Sequence, residues 1–228
     1  MRIFTYGQLK TQIEDESNLH GEDLVSAEEM MAYCNDAISE AEAEIHRLNL
    51  EDQYFLTSTV INVPTGCTEI DFPADTYANK IVSVICKECD RTYKIKQVKA
   101  NLRYDRFERI LNAFDSDDYC YIIRNALVPK LMIFPPVRDP GVTLTVWYIR
   151  SAKRVTDDDT VIDIPEFDTF ITAFMKAKCM AKENMGETPI SAKQDVSSAK
   201  KLMVDTLANR VMEEPDLDPF MEHYEFHA

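Results

Sequence analysis

Glycine is scarce in this chain. Only Gly7, Gly21, Gly66, Gly141 and Gly186 occur in 228 residues, and no two stand at the spacing of a G-x-G-x-x-G or Walker-type loop. That removes the glycine-rich nucleotide-binding families, whose backbone must approach phosphate closely. Basic residues are also short, with 25 Lys and Arg against 40 Asp and Glu, a net charge of −15. A general binder of nucleic acid or of an anionic membrane is excluded by that balance, because such partners are drawn by basic patches. Nowhere do 18 consecutive apolar residues occur, so no transmembrane span is expected. The start, Met1-Arg2-Ile3-Phe4-Thr5-Tyr6, turns polar without the apolar core of a signal peptide. Histidine is limited to His20, His46, His223 and His227, and the nucleophile elbow G-x-S-x-G is missing. No constellation for nucleophilic or acid–base catalysis can be assembled from what remains, so no catalytic residue is assigned.

What is present supports a folded protein. With 45% hydrophobic residues and 29% charged ones the chain can bury a sizeable core. Cys34, Cys67, Cys86, Cys89, Cys120 and Cys179 are scattered, which fits reduced thiols in a cytosol-like compartment. Cys86-Lys87-Glu88-Cys89 has the spacing of half a zinc site, but no second Cys or His pair completes four ligands. A hairpin turn that happens to hold two thiols is the reading favoured here. His223-Tyr224-Glu225-Phe226-His227 is not H-E-x-x-H and reads as polar tail. Asp157-Asp158-Asp159 lacks the glycine and closing glutamate of a calcium loop, and reads as a solvated linker feeding a helix N-terminus. No metal or cofactor is therefore expected.

Hydrophobic period divides the chain into parts. Residues 1–55 read helical, with capping boxes at Thr5-x-x-Gln8 and Ser26-x-x-Glu29. Met30, Cys34, Ala37, Ile38, Ala41, Ile45 and Leu48 then form one stripe on a long helix. From 56 to 150 the period is two, with strands expected at 57–63, 79–86, 91–98, 119–125, 130–134 and 142–150. Leu102, Phe107, Ile110 and Leu111 predict a short helix among them, and Trp147 is expected in the core. Residues 151–212 return to helix, first with Phe167, Phe170, Ile171, Phe174, Met175 and Met180. Gly186 and Thr188-Pro189 then separate a second helix carrying Ile190, Val196, Leu202, Met203, Leu207 and Val211. The fold class expected is α+β: a helical bundle from the N- and C-terminal parts, an inserted small antiparallel β domain, and an extended tail over 213–228.

Charge is uneven. Residues 1–55 hold 13 acids and 3 bases, and residues 213–228 hold 6 acids and no base. Residues 80–109 form a local basic stretch of nine bases against four acids. The tail also carries Leu217, Phe220, Met221, Tyr224 and Phe226, more apolar surface than a solvating segment needs, as in segments that order in a neighbour's groove.

The order of certain landmarks resembles the head-to-tail adaptor (connector) proteins of short-tailed bacteriophages. They are Thr5-Tyr6-Gly7-Gln8-Leu9-Lys10, the acidic helix Asn35 to Ile45, Phe72-Pro73-Ala74-Asp75, Trp147 to Arg154, and Ile162-Asp163-Ile164-Pro165-Glu166-Phe167. The resemblance implies a structural virion protein of the neck, made in the host cytoplasm. It implies a dodecameric ring of this chain beneath the portal protein, passing the portal's symmetry to tail or nozzle proteins. It carries no catalytic residues. Leu217, Phe220, Met221 and Tyr224 are the candidate anchors to the portal. Genomic DNA would slide through without specific binding, and an acidic bore suits that because like charges repel. Glu28, Glu29, Glu40 and Glu44 on the long helix are the candidate lining. Two alternatives stay open: another neck or tail-tube component, and a cytosolic enzyme with a distributed site.

Overall fold

A computed structural model describes residues 4–17, 25–89, 91–98, 119–124, 129–183 and 187–213. The chain is α+β and divides into a β unit, Glu51–Ser151, and a helical unit formed by Met1–Leu50 and Ala152–Ala228.

The helical unit contains α1 (Tyr6–Ser17), α2 (Ala27–Arg47), a 3-10 turn (Pro165–Phe167), α4 (Asp168–Glu183) and α5 (Ile190–Glu213), while α3 (Glu51–Tyr54) belongs to the β unit. Both capping boxes form. Thr5 N–H donates to Gln8 Oε1 at 3.2 Å and Gln8 N–H to Thr5 Oγ1 at 3.4 Å. At α2 the Ser26 and Glu29 side chains exchange the same pair of bonds, at 2.9 and 3.2 Å. The far end of α2 closes through Asn49, whose φ of 55° is left-handed, so that Leu50 N–H reaches back to Ile45 C=O at 3.1 Å and the Leu50 side chain is buried. The expected α2 stripe is buried from Met30 to Ile45, with Glu42 buried among it. α4 packs against α1, α2 and α5 through Phe170, Ile171, Met175 and Cys179. On α5 the buried face is Ala192, Ala199, Met203 and Leu207, so Ile190 (76% exposed) and Leu202 (61%) fall off the stripe expected for them. Alanines share that face with Met203 and Leu207, while Ile190 and Leu202 point to solvent.

Tyr6 lies in this core, 1% exposed, and its hydroxyl has no hydrogen-bond partner among the described residues. Burial first, then the nearby Cys34 and Asp158, raise its pKa above the ordinary phenol range. An unpaired buried hydroxyl costs desolvation without return. Tyr6→Phe is therefore expected to stabilise the chain by about 1 kcal/mol, roughly 2–4 °C in Tm. A thermal melt in which the variant unfolds below the wild type would show that the hydroxyl is bonded after all.

The β unit is one seven-stranded sheet in the order β1-β7-β3-β4-β5-β6-β2. Its strands are β1 (Leu56–Val63), β2 (Glu69–Asp71), β3 (Thr76–Glu88), β4 (Arg91–Gln97), β5 (Cys120–Arg124), β6 (Lys130–Phe134) and β7 (Val142–Arg150). Val84, Cys86, Ile95, Leu131, Ile133, Leu144 and Val146 are among its buried core. The expected strands are all found, and β2 is an addition. The sheet is mostly antiparallel, but β4 and β5 run parallel, with Lys96 opposite Cys120, which corrects the purely antiparallel expectation. Parallel neighbours need a long crossover, and the connecting residues 99–118, including Leu102 to Leu111, lie outside the described set. Trp147 is 36% exposed rather than in the core. In β7 the inward set is Val142, Leu144, Val146 and Tyr148, which puts Trp147 outward with Thr143 and Thr145.

Candidate functional site

The landmark segments converge on two backbone clamps, each inside one unit. In the helical unit, residues 152–163 are gripped from two helices. Asn35 and Glu42 stand seven residues apart on α2, hence two turns along one face. Asn35 Nδ2 donates to Val155 C=O at 3.1 Å, and Val155 N–H donates to Asn35 Oδ1 at 2.7 Å. Glu42 accepts Ala152 N–H at 2.7 Å and the Arg154 guanidinium at 2.6 Å. Lys153 N–H donates to Asp163 Oδ2 at 2.9 Å. The same segment caps α1: Tyr6 N–H donates to Thr160 C=O and Gly7 N–H to Asp158 C=O, both at 2.9 Å. Together with Gln8 N–H on Thr5 Oγ1 and Leu9 N–H on Thr5 C=O, the first four amides of α1 all find acceptors. Glycine suits this close approach, since a Cβ at Gly7 would crowd the Asp158 carbonyl oxygen at 3.0 Å.

Asp157 to Asp159 therefore work chiefly through the backbone. The Asp157 carboxylate accepts the Thr160 hydroxyl at 2.8 Å and the Thr156 hydroxyl at 3.1 Å, which hold its pKa below the usual range. The loop's carbonyls feed the N-terminus of α1, a helix distant in sequence. In the β unit, Asp75 plays the clamping part: its carbonyl accepts Ser151 N–H at 2.7 Å and its carboxylate accepts the Tyr148 hydroxyl at 2.9 Å. Burial first, then this bond to a carboxylate, pushes the Tyr148 pKa up to about 12.

The candidate lining residues of α2 are placed along that helix, three of them in ion pairs. Glu29 pairs with Lys182 of α4, and its carboxyl is held low first by that ammonium and then by Ser26 N–H. Glu40 and Glu44 share Lys200 of α5 at 2.7 and 3.1 Å, and Glu44 also meets Arg47 at 2.6 Å. Glu28 is exposed in the first turn, where the helix dipole favours a carboxylate. The tail candidates Leu217, Phe220, Met221 and Tyr224 lie outside the described residues.

The Cys86–Cys89 segment is the expected hairpin. Glu88 stands opposite Arg91 across the turn, and Cys89 takes a left-handed φ of 48°. Cys86 is buried in the sheet while Cys89 is exposed. Among the described residues no group of three or more His, Cys, Asp or Glu side chains is placed to hold a metal ion. The grooves beside α1 are open and acidic, lined by Asp15, Glu16, Asp168 and Asp195 together with Gln12 and Lys176.

Glu42 was the residue hardest to see in the sequence. Its only signal was position: it sits four residues after Ile38, on the flank of the apolar stripe, where a carboxylate needs a buried partner.

No curated protein matches the chain. The family model described as SU10 adaptor protein matches residues 4–214, which takes in every landmark segment held by the two clamps. On that match over nearly its whole length, the chain belongs to the SU10 adaptor protein family, the phage head–tail adaptors.

Proposed function

We propose that this phage structural adaptor forms a ring, dodecameric as the family resemblance implies, between the portal and the tail or nozzle proteins. The family match over residues 4–214 carries the reading. In it the helical parts, 1–55 and 151–212, make one bundle, the β insertion faces the tail or a neighbouring subunit, and residues 213–228 extend to the portal with Leu217, Phe220, Met221 and Tyr224 as anchors. The role is structural, in the virion neck, without catalysis or cofactor. No described helix is long and apolar enough to cross a membrane.

The bore reading keeps Glu28, Glu29, Glu40 and Glu44 as lining. The ion pairs of Glu29 with Lys182 and of Glu40 and Glu44 with Lys200 trim the local field but leave the helical unit strongly acidic, so phosphates are still repelled. A ring structure with these carboxylates on the outer rim and lysines inside would overturn it.

Native mass of the purified chain, alone and mixed with the matching portal ring, tests the whole reading. Monomers that close into a ring on the portal are the expected result. A ring formed without the portal would shift the assignment toward a tube or another neck component. A monomer indifferent to the portal overturns the adaptor ring.

A further inference from the structure

The two ends of the sheet are built differently. β2 is three residues long, and its Glu69 and Asp71 pair with Arg124 and Lys130. Short and charged is the form in which folded proteins protect a sheet edge from pairing with another chain. β1, at the opposite end, runs eight residues, Leu-Thr-Ser-Thr-Val-Ile-Asn-Val, without a charge or a proline. Among the described residues it pairs with β7 alone. Alternate residues of such a strand turn their N–H and C=O groups outward, ready to pair.

The outer face beside this edge is apolar as well. Val60 is 65% exposed, Val82 46%, Leu56 39% and Trp147 36%. Register makes them neighbours. Trp147 stands opposite Ser58 on one side and Ser83 on the other. Leu56 and Val60 flank Ser58 on the same face, and Val82 adjoins Ser83 where β3 shifts register.

Charge indicates what meets this surface. Residues 51–151 contain 13 acidic and 13 basic residues, which leaves 27 acidic and 12 basic for the helical unit. The entire net charge of −15 therefore belongs to the helical unit, and the β unit is neutral. Identical copies repel one another through their helical units, so the lowest electrostatic cost of contact lies along the neutral unit, at its uncharged edge.

We propose that the β1 edge and the Trp147 patch form the seam on which a second copy of this chain docks, by strand addition and burial of the aromatic anchor. The proposal rests on the ring reading above. In a ring the contact is head-to-tail, so the neighbour offers a surface other than its own β1 edge; a β1-to-β1 pairing would close two copies into a dimer.

Trp147 is the one tryptophan of the chain and reports on its own burial. The experiment replaces it with 5-hydroxytryptophan, excited where a portal's own tryptophans are silent, and follows acrylamide quenching as the chain assembles alone or on the portal. Quenching is expected to fall about threefold on assembly, as water leaves the interface core. Val60→Lys, a change at an exposed position, is expected to raise the half-assembly concentration about tenfold or more, because lysine on an edge strand blocks strand addition. Assembly with unchanged quenching and an indifferent Val60→Lys chain overturns the seam while the ring stands. A two-copy species that buries Trp147 supports the seam and overturns the ring. A monomer under every condition overturns both.

Discussion

Replacing Glu42 by Ala is expected to destabilise the chain by about 3 kcal/mol, a fall in Tm of roughly 6–12 °C for a protein of this size. The carboxylate is 4% exposed and holds two donors, Ala152 N–H at 2.7 Å and Arg154 Nη2 at 2.6 Å. Removing it strands the amide of Ala152, itself only 3% exposed, without an acceptor. The Arg154 side chain is 39% exposed, so water takes over part of its charge. The loss is therefore set at the lower end of the 3–5 kcal/mol typical of breaking a fully buried pair. Thermal and urea melts check it. An Ala variant that melts within about 1 °C of wild type would show that the clamp contributes nothing.

The same geometry makes a second readout. Asn35 and Glu42 hold the two ends of one four-residue segment, 152–155. If either is lost, the segment is freer to leave the other. The double variant Asn35→Ala with Glu42→Ala should thus cost less than the two singles added, by about 1 kcal/mol, as expected for residues that share a partner. Strict additivity would mean that the two side chains act on independent parts of the backbone.

Much of this architecture was legible because it rests on periods. The α2 stripe, both capping boxes and the alternating strands follow from spacings of three to four and of two, and each is found. Residue size alone does not place Trp147, because its neighbours Val146 and Tyr148 are also large. Phase settles the matter: Trp147 shares its face with Thr143 and Thr145, and Val146 with Leu144 and Val142. β2 is three residues long, too short to express a period. The parallel pairing of β4 with β5 is a choice of partner, which no local pattern encodes. Hydrophobicity alone places Ile190 and Leu202 on the stripe with Met203 and Leu207, whereas the buried face of α5 keeps only the latter two and is completed by Ala192 and Ala199. The clamps were invisible for another reason. Asn35 and Glu42 meet Val155 and Ala152 across more than a hundred residues, and a polar side chain carries no mark of whether its partner is water or a distant amide.

Lys200→Glu is expected to have the second largest effect, a loss of about 2 kcal/mol or roughly 4–8 °C at low salt. Lys200 on α5 joins Glu40 and Glu44 of α2 at 2.7 and 3.1 Å, so charge reversal replaces two attractions by three adjoining carboxylates. The Lys200 side chain is 34% exposed, and each pair alone is therefore worth no more than about 1 kcal/mol. Two dependences separate charge from packing. Raising the salt from 0.05 to 0.5 M, values chosen for the test, shortens the screening length from roughly 14 to 4 Å and should shrink the deficit. Acid should do the same. The Glu44 carboxyl is held below its usual range by Arg47 first and Lys200 next. Its contribution is present above the unfolded-state pKa of about 4.3 and is lost as pH falls through the lower folded value. Lys200 is raised, by Glu40 first, so its share is present below about 10.4 and is lost only as pH rises through the raised value. Wild type and variant should thus converge below the carboxylate range, where neither protein has a charged acid at this contact. A deficit that ignored both salt and pH would assign the effect to the apolar stem of Lys200, and Lys200→Met, which keeps that stem, would then melt with the wild type.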